Sequence, residues 1–344
     1  MPKQQQNHSS VILSLQAEAR KVLDAIIPAD AHIILLDYPN TTNVGDSLIW
    51  LGEIAYLNSR GLKPSYVCDV ENYDVNAIKK ILNKNSILLM HGGGNFGTVW
   101  KKIHNFRLQV LSDFPNIKIV QFPQTIHFDD ENKIKEMADA IRQQGNYILL
   151  ARSEKSHAFA KQNFETELHL CPDMAFFIGE INPKLKPKSD RFILSRTDHE
   201  KSSEKLTDNT QFNPSCTYEI ADWLNPSLYE RFLHRVQIHS VGIRKAIDPS
   251  NLTLLALWNH LSDIRMKRGI QLLSKGSVVL TDRLHAHILS ILIGKPHVIA
   301  DNSYGKLSDF YQTWTFRNAK SVLVSDLNTL HAEADKLDAL LNAK

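Results

Sequence analysis

Residues 87–97 read ILLMHGGGNFG, four apolar side chains that pass into a histidine and a cluster of glycines. The apolar run has the length of a buried strand, and glycines at a strand exit allow a tight turn close to a ligand. We expect a helix to follow, as far as about residue 111. The stretch therefore predicts one strand–turn–helix unit of an α/β sheet.

The same order of strand, loop and helix recurs on both sides of this unit. The predicted strands are residues 32–36, 65–70, 87–90, 117–121, 147–150, 192–194, 278–280 and 297–300. The clearest predicted helices are residues 11–27, 74–82, 153–163, 227–245, 250–273, 283–293 and 327–341. Continuous apolar strands that alternate with amphipathic helices are typical of parallel, doubly wound sheets.

A change in composition near the middle of the chain predicts two domains. Residues 181–190 are basic, punctuated by prolines and without periodicity, as expected of a linker. They separate a Rossmann-like domain over residues 1–180, which includes the helix at 11–27, from a second one over 191–320. Residues 321–344 add a C-terminal strand and helix. Two such domains are expected to face each other across a cleft.

Composition excludes several classes of protein. With 40 basic and 37 acidic side chains the net charge is +3, which argues against a dedicated nucleic-acid binder. Cys68, Cys171 and Cys216 match neither a disulfide framework nor a metal knuckle, which favours a reducing compartment. The polar start and the lack of a long apolar run predict neither signal peptide nor membrane span. The amphipathic helix 11–27 is expected to pack against the body of the protein rather than to lie on a membrane.

Ligands of parallel sheets bind beyond the carboxyl ends of the strands, so the polar residues at those points are the candidates for a site. After the first strand, Gly45 permits a close turn, and Asp46 either caps the next helix or faces the cleft. After the third strand, the backbone N–H groups of the glycine stretch 92–97 can approach an anion or a sugar. This stretch has the G-x-G-x-x-G spacing, but the next strand carries no acid for a ribose, which disfavours a dinucleotide site.

Two further strand exits carry cations and imidazoles. Arg152 ends a buried strand, where it must either pair with Glu154 or a nearby Asp, or bind an anionic ligand. Arg283, His285 and His287 stand at one helix start, a pattern that predicts a phosphate or carboxylate site with a general acid at hand. No third ligand accompanies the two histidines, so no metal is expected.

Seven segments together resemble the polysaccharide pyruvyl transferase family. They are residues 43–46 (NVGD), 91–97 (HGGGNFG), 123–125 (PQT), 152–154 (RSE), 195–198 (SRTD), 281–285 (TDRLH) and 301–306 (DNSYGK). The resemblance covers about residues 32–316. The chain departs from the family at Thr98, where members often carry Asp, and more mildly at Thr125 and Ala286.

The resemblance implies a GT-B-like fold and an enzyme that moves a pyruvyl group from phosphoenolpyruvate onto two sugar hydroxyls as a ketal, with release of phosphate. The acceptor would be a surface polysaccharide or exopolysaccharide, or its lipid-linked oligosaccharide precursor. Phosphoenolpyruvate is a co-substrate, and no cofactor and no nucleic acid is expected. The implied location is the cytoplasm, and peripheral association with the inner face of the membrane is compatible with such an acceptor.

The family's Arg-Leu-His motif, which binds the donor phosphate, maps onto Arg283, Leu284 and His285, and Arg152 is assigned to the same pocket. His285 is the first candidate for the acid that protonates the methylene carbon. Three side chains are alternative bases for the hydroxyl protons, namely Asp46, His91 and His287. The residues assigned to the acceptor side are Asn43, Gly45, Asp46, Gly92, Gly93, Gly94 and Asn95.

Two other functions stay open at this point. A GT-B glycosyltransferase that uses a nucleotide sugar would need a ribose-binding carboxylate and a base-stacking aromatic in the second domain, and no clear pair is present. A non-catalytic glycan-binding protein of the same fold would have no need to keep Arg152, Arg283 and His285. The acceptor sugar, the bridged hydroxyls, the configuration of the ketal and the oligomeric state do not follow from the sequence.

Overall fold

The computed structural model describes residues 5–195, 206, 212–239, 247–248, 250–301 and 305–342. The strands are β1 His32–Leu36, β2 Pro64–Val67, β3 Ser86–Met90, β4 Gly93–Gly97, β5 Ile119–His127, β6 Tyr147–Ala151, β7 Glu167–Leu170, β8 Ser189–Leu194, β9 Tyr218–Ala221, β10 Gly276–Thr281, β11 His297–Ala300 and β12 Ser321–Val324. The α-helices are α1 His8–Ile26, α2 Val44–Ser59, α3 Val75–Ile81, α4 Lys101–Asp113, α5 Glu131–Gln144, α6 Glu154–Asn163, α7 Leu228–His239, α8 Leu252–Leu273, α9 Leu284–Leu292, α10 Lys306–Phe310 and α11 Leu330–Asn342.

The strands form two sheets in which the pairing is parallel. The first sheet has the order β2-β1-β3-β5-β6-β7, with β4 also paired to β5, and the second has the order β12-β11-β10-β8-β9. Each predicted strand corresponds to one of these, and the predicted α/β class with parallel sheets is confirmed. Strands β4, β7 and β9 were not predicted, because β4 is mostly glycine and β7 and β9 have only four residues each.

Buried apolar side chains explain why these segments are strands and how the helices cover them. All five side chains of β3 are buried, and four of the five in β1 are, so both faces of the first sheet are covered. Helix α1 buries an apolar stripe that includes Val11, Leu15 and Leu23. The prediction that this amphipathic helix packs against the body of the protein is therefore confirmed.

Helix α2 lies between the cores of the two sheets. Its residues Val44 and Leu48 belong to the apolar cluster that covers the second sheet, whereas Ile49 and Trp50 belong to a cluster under the first. Residues 179–188 then join the two sheets without helix or strand, inside and just before the predicted linker. Among the described residues, none of the helices is both long and apolar enough to cross a membrane.

Candidate active site

A cavity of about 1080 Å³ lies against the carboxyl ends of strands from both sheets. Residues that follow β1, β2, β3 and β6 line it from the first sheet, and residues that follow β9 and β10 line it from the second. Ligands of parallel sheets bind at this edge. The predicted site residues that line this cavity are Asn43, Asp46, His91, Gly94, Asn95, Arg152, Arg283, Leu284 and His285.

Arg283 is held at the start of α9 by residues that follow β9. It is the N-cap residue of that helix, and its Nη2 donates to Asp222, with 2.7 Å between Nη2 and Oδ1. Its guanidinium carbon also lies 5.8 Å from the centre of the Trp223 ring. The guanidinium and the positive end of α9 thus reach the cavity together, which suits a phosphate or carboxylate.

Arg152 pairs inside the protein and still lines the cavity. It is 2% exposed, its Nη1 donates to Oδ2 of Asp173 at 2.7 Å, and its Nε donates to Oγ1 of Thr125 at 2.7 Å. The sequence left open an ion pair or an anion site, with Glu154 as one partner. The structure shows that the partner is Asp173, and that pairing and cavity position coexist.

Asp173 connects Arg152 to His285. The Nε2 of His285 lies 3.5 Å from the same Oδ2 that accepts from Arg152. Burial would raise the pKa of Asp173, but His285 and Arg152 together hold that pKa well below its usual range, so the carboxyl is ionised. A single buried carboxylate therefore hydrogen-bonds a guanidinium that follows the first sheet and lies within ion-pair distance of an imidazole from the second.

The first turn of α2 contacts His285 on the other side of its ring. A Cβ at Gly45 would lie 2.6 Å from Nδ1 of His285, so α2 can pack on the imidazole only with glycine there. Of the two alternatives for Asp46, the structure excludes the helix cap, because Asn43 is the N-cap residue of α2 and its Oδ1 accepts from the Gly45 N–H at 3.0 Å. The carboxylate of Asp46 is instead held by the Asn43 amide at 3.1 Å and faces the cavity.

His287 does not line the cavity, although it is two residues from His285. Its ring is fully buried, with Nδ1 2.7 Å from Nε2 of His297 and Nε2 2.7 Å from Oγ1 of Thr315. Burial and the neighbouring His297 lower the pKa of His287 well below its usual value, so the ring is neutral. Two residues along an α-helix correspond to about 200° of rotation, which explains why the two histidines point to opposite faces.

The glycine stretch is a strand, not the open turn that the sequence predicts. β4 extends the sheet because β5 is nine residues long and pairs with β3 along its first part and with β4 along its second. Gly97 has φ +127°, and a Cβ there would lie 1.8 Å from the carbonyl oxygen of His127. Gly92 donates its N–H to Glu53 at 2.8 Å, and Gly93 packs on Ile49, so only Gly94 of the three consecutive glycines lines the cavity.

His91 presents a buried imidazole to the cavity. Its Nδ1 lies 3.0 Å from Oε2 of Glu53, a carboxylate with no exposed surface. Burial would lower the pKa of His91, but Glu53, with smaller contributions from Asp37 and Asp46, more than offsets this and raises the pKa. Its Nε2 has no hydrogen-bond partner among the described residues. His91 is therefore a held imidazole with one nitrogen left for a ligand.

Asp37 is a site residue that the sequence analysis missed. It follows β1 directly, and because Leu36 pairs with Met90, the register places it beside His91. Its backbone has φ +68°, an unusual conformation for a residue other than glycine. Burial raises the pKa of this carboxyl to about 7, against the positive charges of His91 and Arg107. A carboxyl that titrates near neutrality at a cavity wall suits acid–base chemistry.

The Asp37→Asn variant tests this environment through the pH dependence of stability. Since the pKa is above its usual 3.8 in the folded state, the folded protein binds more protons between pH 4 and 7 and loses stability as the pH rises through that range. The variant removes this loss. We expect its free energy of unfolding to exceed that of the parent by about 2 kcal/mol or more at pH 8, and by far less at pH 4.5. Urea unfolding at both pH values measures the difference.

The matched control is Asp139→Asn, which changes an exposed carboxylate on α5. It should leave the pH dependence of stability as it is. The groups that face Asp37 and titrate or carry charge are His91, Glu53, Asp69 and Arg107. The charge of Asp37 in turn helps to raise the pKa of His91, so the measured difference reports on Asp37 and His91 together. A difference between Asp37→Asn and the parent that is the same at both pH values would contradict the assignment.

The segment 301–306, one of those that carry the family resemblance, contributes Lys306 to the cavity. Lys306 is 9% exposed and lines the cavity close to Gly94, as a third cation beside Arg152 and Arg283. Residues 196–198 and 302–304 of the segments that carry the family resemblance lie outside the described residues. In the part of the chain that the structure describes, no three His, Cys, Asp or Glu side chains cluster in a way that could hold a metal ion.

The chain is similar to known proteins over most of its length. The chain is 32% identical over 304 residues to EpsO of Bacillus subtilis, which is named as a pyruvyl transferase, covering 88% of this chain and 91% of that protein. It is 29% identical over 298 residues to pyruvyl transferase 1 of Schizosaccharomyces pombe, covering 82% of this chain and 69% of that one. Both matches run through most of the chain rather than through one motif.

A solved structure and a family model complete the comparison. The fold resembles that of an uncharacterized protein of Klebsiella pneumoniae with a TM-score of 0.58 and 19% identity, over 91% of this chain and 99% of the other. At that identity the likeness concerns the fold alone. The model of the family described as polysaccharide pyruvyl transferase matches residues 43–304, which include helix α2, the glycine-rich strand β4 and the Arg283–His285 segment. The chain belongs to the polysaccharide pyruvyl transferase family.

Proposed function

We propose that this enzyme transfers the pyruvyl group of phosphoenolpyruvate to two hydroxyls of a polysaccharide sugar, or of its lipid-linked precursor, and forms a cyclic ketal. The observation that carries the proposal is the convergence of Arg152, Arg283 and His285 on one cavity, with Asp173 behind them. Family membership supports the pyruvyl transfer, and the cations support a donor with two anionic groups.

The donor fits the part of the cavity between β6 and α9. Phosphoenolpyruvate carries a phosphate and a carboxylate, and the guanidinium groups of Arg283 and Arg152 can each take one of them. Lys306 adds a third positive charge at the same wall. We propose that the second sheet, with Arg283 and His285, forms the donor side of a GT-B-like arrangement, and that the first sheet forms the acceptor side.

The chemistry balances with the residues at hand. His285 gives a proton to the methylene carbon, and one sugar hydroxyl attacks the neighbouring carbon. The bond between that carbon and the bridging oxygen of the phosphate breaks, and phosphate leaves. A second hydroxyl then attacks the same carbon and closes the ring. Of the two hydroxyl protons, one replaces the proton that His285 gave up and the other leaves with phosphate. No redox partner is needed.

The acceptor side supplies the bases. Asp37, Asp46 and His91 line the cavity. Asp37 and His91 follow β1 and β3 directly, three and two strand spacings from β6, or about 14 and 10 Å, whereas Asp46 lies in the first turn of α2, next to Gly45. That span leaves room for a sugar ring between them and the donor. We assign the hydroxyl protons to these three side chains and not to His287, whose buried ring does not reach the cavity.

The location proposed for this reaction is the cytoplasm, at the inner face of the membrane, where a lipid-linked precursor is built. Cys68 and Cys171 are buried free thiols and Cys216 is a partly exposed one, which supports a reducing compartment.

The test is release of phosphate from phosphoenolpyruvate with and without glycan acceptors, joined to mass spectrometry of the product. We expect release that depends on the acceptor, and a pyruvate ketal on the glycan. The variant His285→Ala should abolish both, whereas the control His169→Ala, at a partly exposed position in β7, should change neither. Thermal stabilisation by UDP- or GDP-sugars but not by phosphoenolpyruvate would overturn the proposal.

A further inference from the structure

Helix α7 has an apolar face that is largely exposed in the described chain, with only Tyr229 in contact with the neighbouring helix, through His260 of α8. Leu228, Phe232 and Val236 recur every four residues and are 82%, 60% and 44% exposed. Tyr229, beside them, is 53% exposed. Side chains four apart lie on one face of a helix, so these four form a continuous apolar surface. Single exposed apolar residues are common, but a stripe of this length on one helix marks a contact surface.

Two arginines border this apolar face. Arg231 and Arg235 are exposed on its edge, and together with the apolar residues they span an arc of about 160° around α7. The acid of this helix, Glu230, is on the opposite side, where it is buried and paired with Arg268. The exposed face of α7 is therefore apolar and cationic, without a carboxylate among its described side chains.

The same helix borders the mouth of the cavity. His234 lines the cavity from α7, next to the Arg231 edge in the helical projection. Elsewhere on the rim, Trp100 is 45% exposed and is followed by the exposed Lys101 at the start of α4. Exposed apolar and aromatic side chains with flanking cations are the pattern of surfaces that enter the headgroup region of a bilayer.

We infer that the exposed face of α7 binds the surface of an anionic phospholipid bilayer and turns the mouth of the cavity toward it. A second copy of this chain fits the face less well, because a two-fold contact would bring Arg231 and Arg235 of both copies together with no acid to pair them. The role of this contact in presenting a lipid-linked glycan rests on the proposed function. The contact itself does not.

Sedimentation of the full-length protein with vesicles tests the inference. One set of vesicles is pure phosphatidylcholine and the other contains phosphatidylglycerol. We expect binding at least tenfold tighter to the anionic vesicles, and loss of that preference at high salt. The double variant L228S/F232S should weaken binding to anionic vesicles at least tenfold. The variant R231Q/R235Q should bring it to the level of neutral vesicles, and it keeps the test valid if the first variant fails to fold.

The matched control is Leu13→Ser, which removes a 65% exposed leucine from α1 and should bind vesicles like the parent. Failure of the parent to bind anionic vesicles overturns the inference. So does a parent dimer that L228S/F232S converts to monomer, because the face would then bind a second copy. Phosphate release with a soluble glycan needs no vesicle, so a failed vesicle assay leaves the proposed function intact, and a failed activity assay leaves the membrane contact intact.

Discussion

Replacing Asp173 with asparagine is expected to lower kcat by about 10³-fold or more, with a smaller loss of affinity for phosphoenolpyruvate. The amide keeps the shape of the carboxylate but not its charge. His285 then loses the group that orients its imidazole, and Arg152 loses the partner that holds its Nη1 at 2.7 Å. The side chain is 1% exposed and lies behind the cavity wall, so it acts as a positioning residue and not by touching substrate.

Steady-state kinetics and single-turnover rates measure this loss, and thermal unfolding separates it from a loss of fold. The control is Asp335→Asn, which removes a carboxylate 2.6 Å from Arg191, another buried arginine, on the far side of the second sheet. Both variants should lower the melting temperature, because each weakens the pairing of a buried cation. Only Asp173→Asn should lower kcat. Normal kcat in Asp173→Asn together with a lowered melting temperature would show that the pair is purely structural.

Much of the cavity wall was predictable because one rule of parallel sheets places it. Residues directly after buried apolar strands meet at one edge, and this rule alone brought together Asp46, His91, Arg152 and Arg283. The same rule also fits Asp37, which follows β1 without a gap, but no spacing distinguished it from an ordinary turn residue. Its significance comes from burial and from its position beside His91, which only the folded register supplies.

Asp173 and Glu53 could not be predicted from local pattern. Asp173 follows β7, whose residues Glu167–Leu170 alternate weakly between charged and apolar, so no strand was expected there. Glu53 lies within α2 on a side that would be counted as core, and it is tolerated because it accepts from Gly92 and pairs with His91. Asp173 pairs with Arg152 and Glu53 pairs with His91, so each carboxylate supports a residue that lines the cavity. Such pairs form between segments that are far apart in the sequence, and local sequence pattern does not indicate them.

The glycine-rich strand β4 also could not be predicted from the local sequence, which here indicates a different structure. A run of three glycines indicates a loop by local propensity, because glycine weakens strands. Here β5 extends past the end of β3 and offers unpaired backbone groups, and β4 satisfies them. The tight approach of Gly97 to His127 then requires glycine. Long-range pairing thus outweighed local propensity, and of the three consecutive glycines it leaves only Gly94 at the cavity.

Two neighbouring residues at the start of α9 are expected to affect different quantities, Arg283 the affinity for phosphoenolpyruvate and His285 the rate of its reaction. Arg283→Ala should weaken binding of phosphoenolpyruvate by about 100-fold, since a charge-assisted hydrogen bond to an anion contributes on the order of 2–3 kcal/mol. His285→Ala should leave binding within about fivefold of the parent but lower the single-turnover rate by about 10²–10⁴-fold, because it removes the proton donor. Calorimetry gives the first quantity and rapid-quench kinetics the second.

Conservative variants distinguish chemistry from packing. Arg283→Lys keeps a positive charge but not the planar fork that meets Asp222, so we expect affinity between those of the parent and of Arg283→Ala. His285→Gln preserves much of the bulk that packs on Gly45 but cannot protonate a carbon, so its rate should match His285→Ala. If Arg283→Ala and His285→Ala instead cause small and equal losses in both measurements, the donor does not bind at this helix start. Arg152, which follows β6, and Lys306 of α10 would then have to bind phosphoenolpyruvate without Arg283.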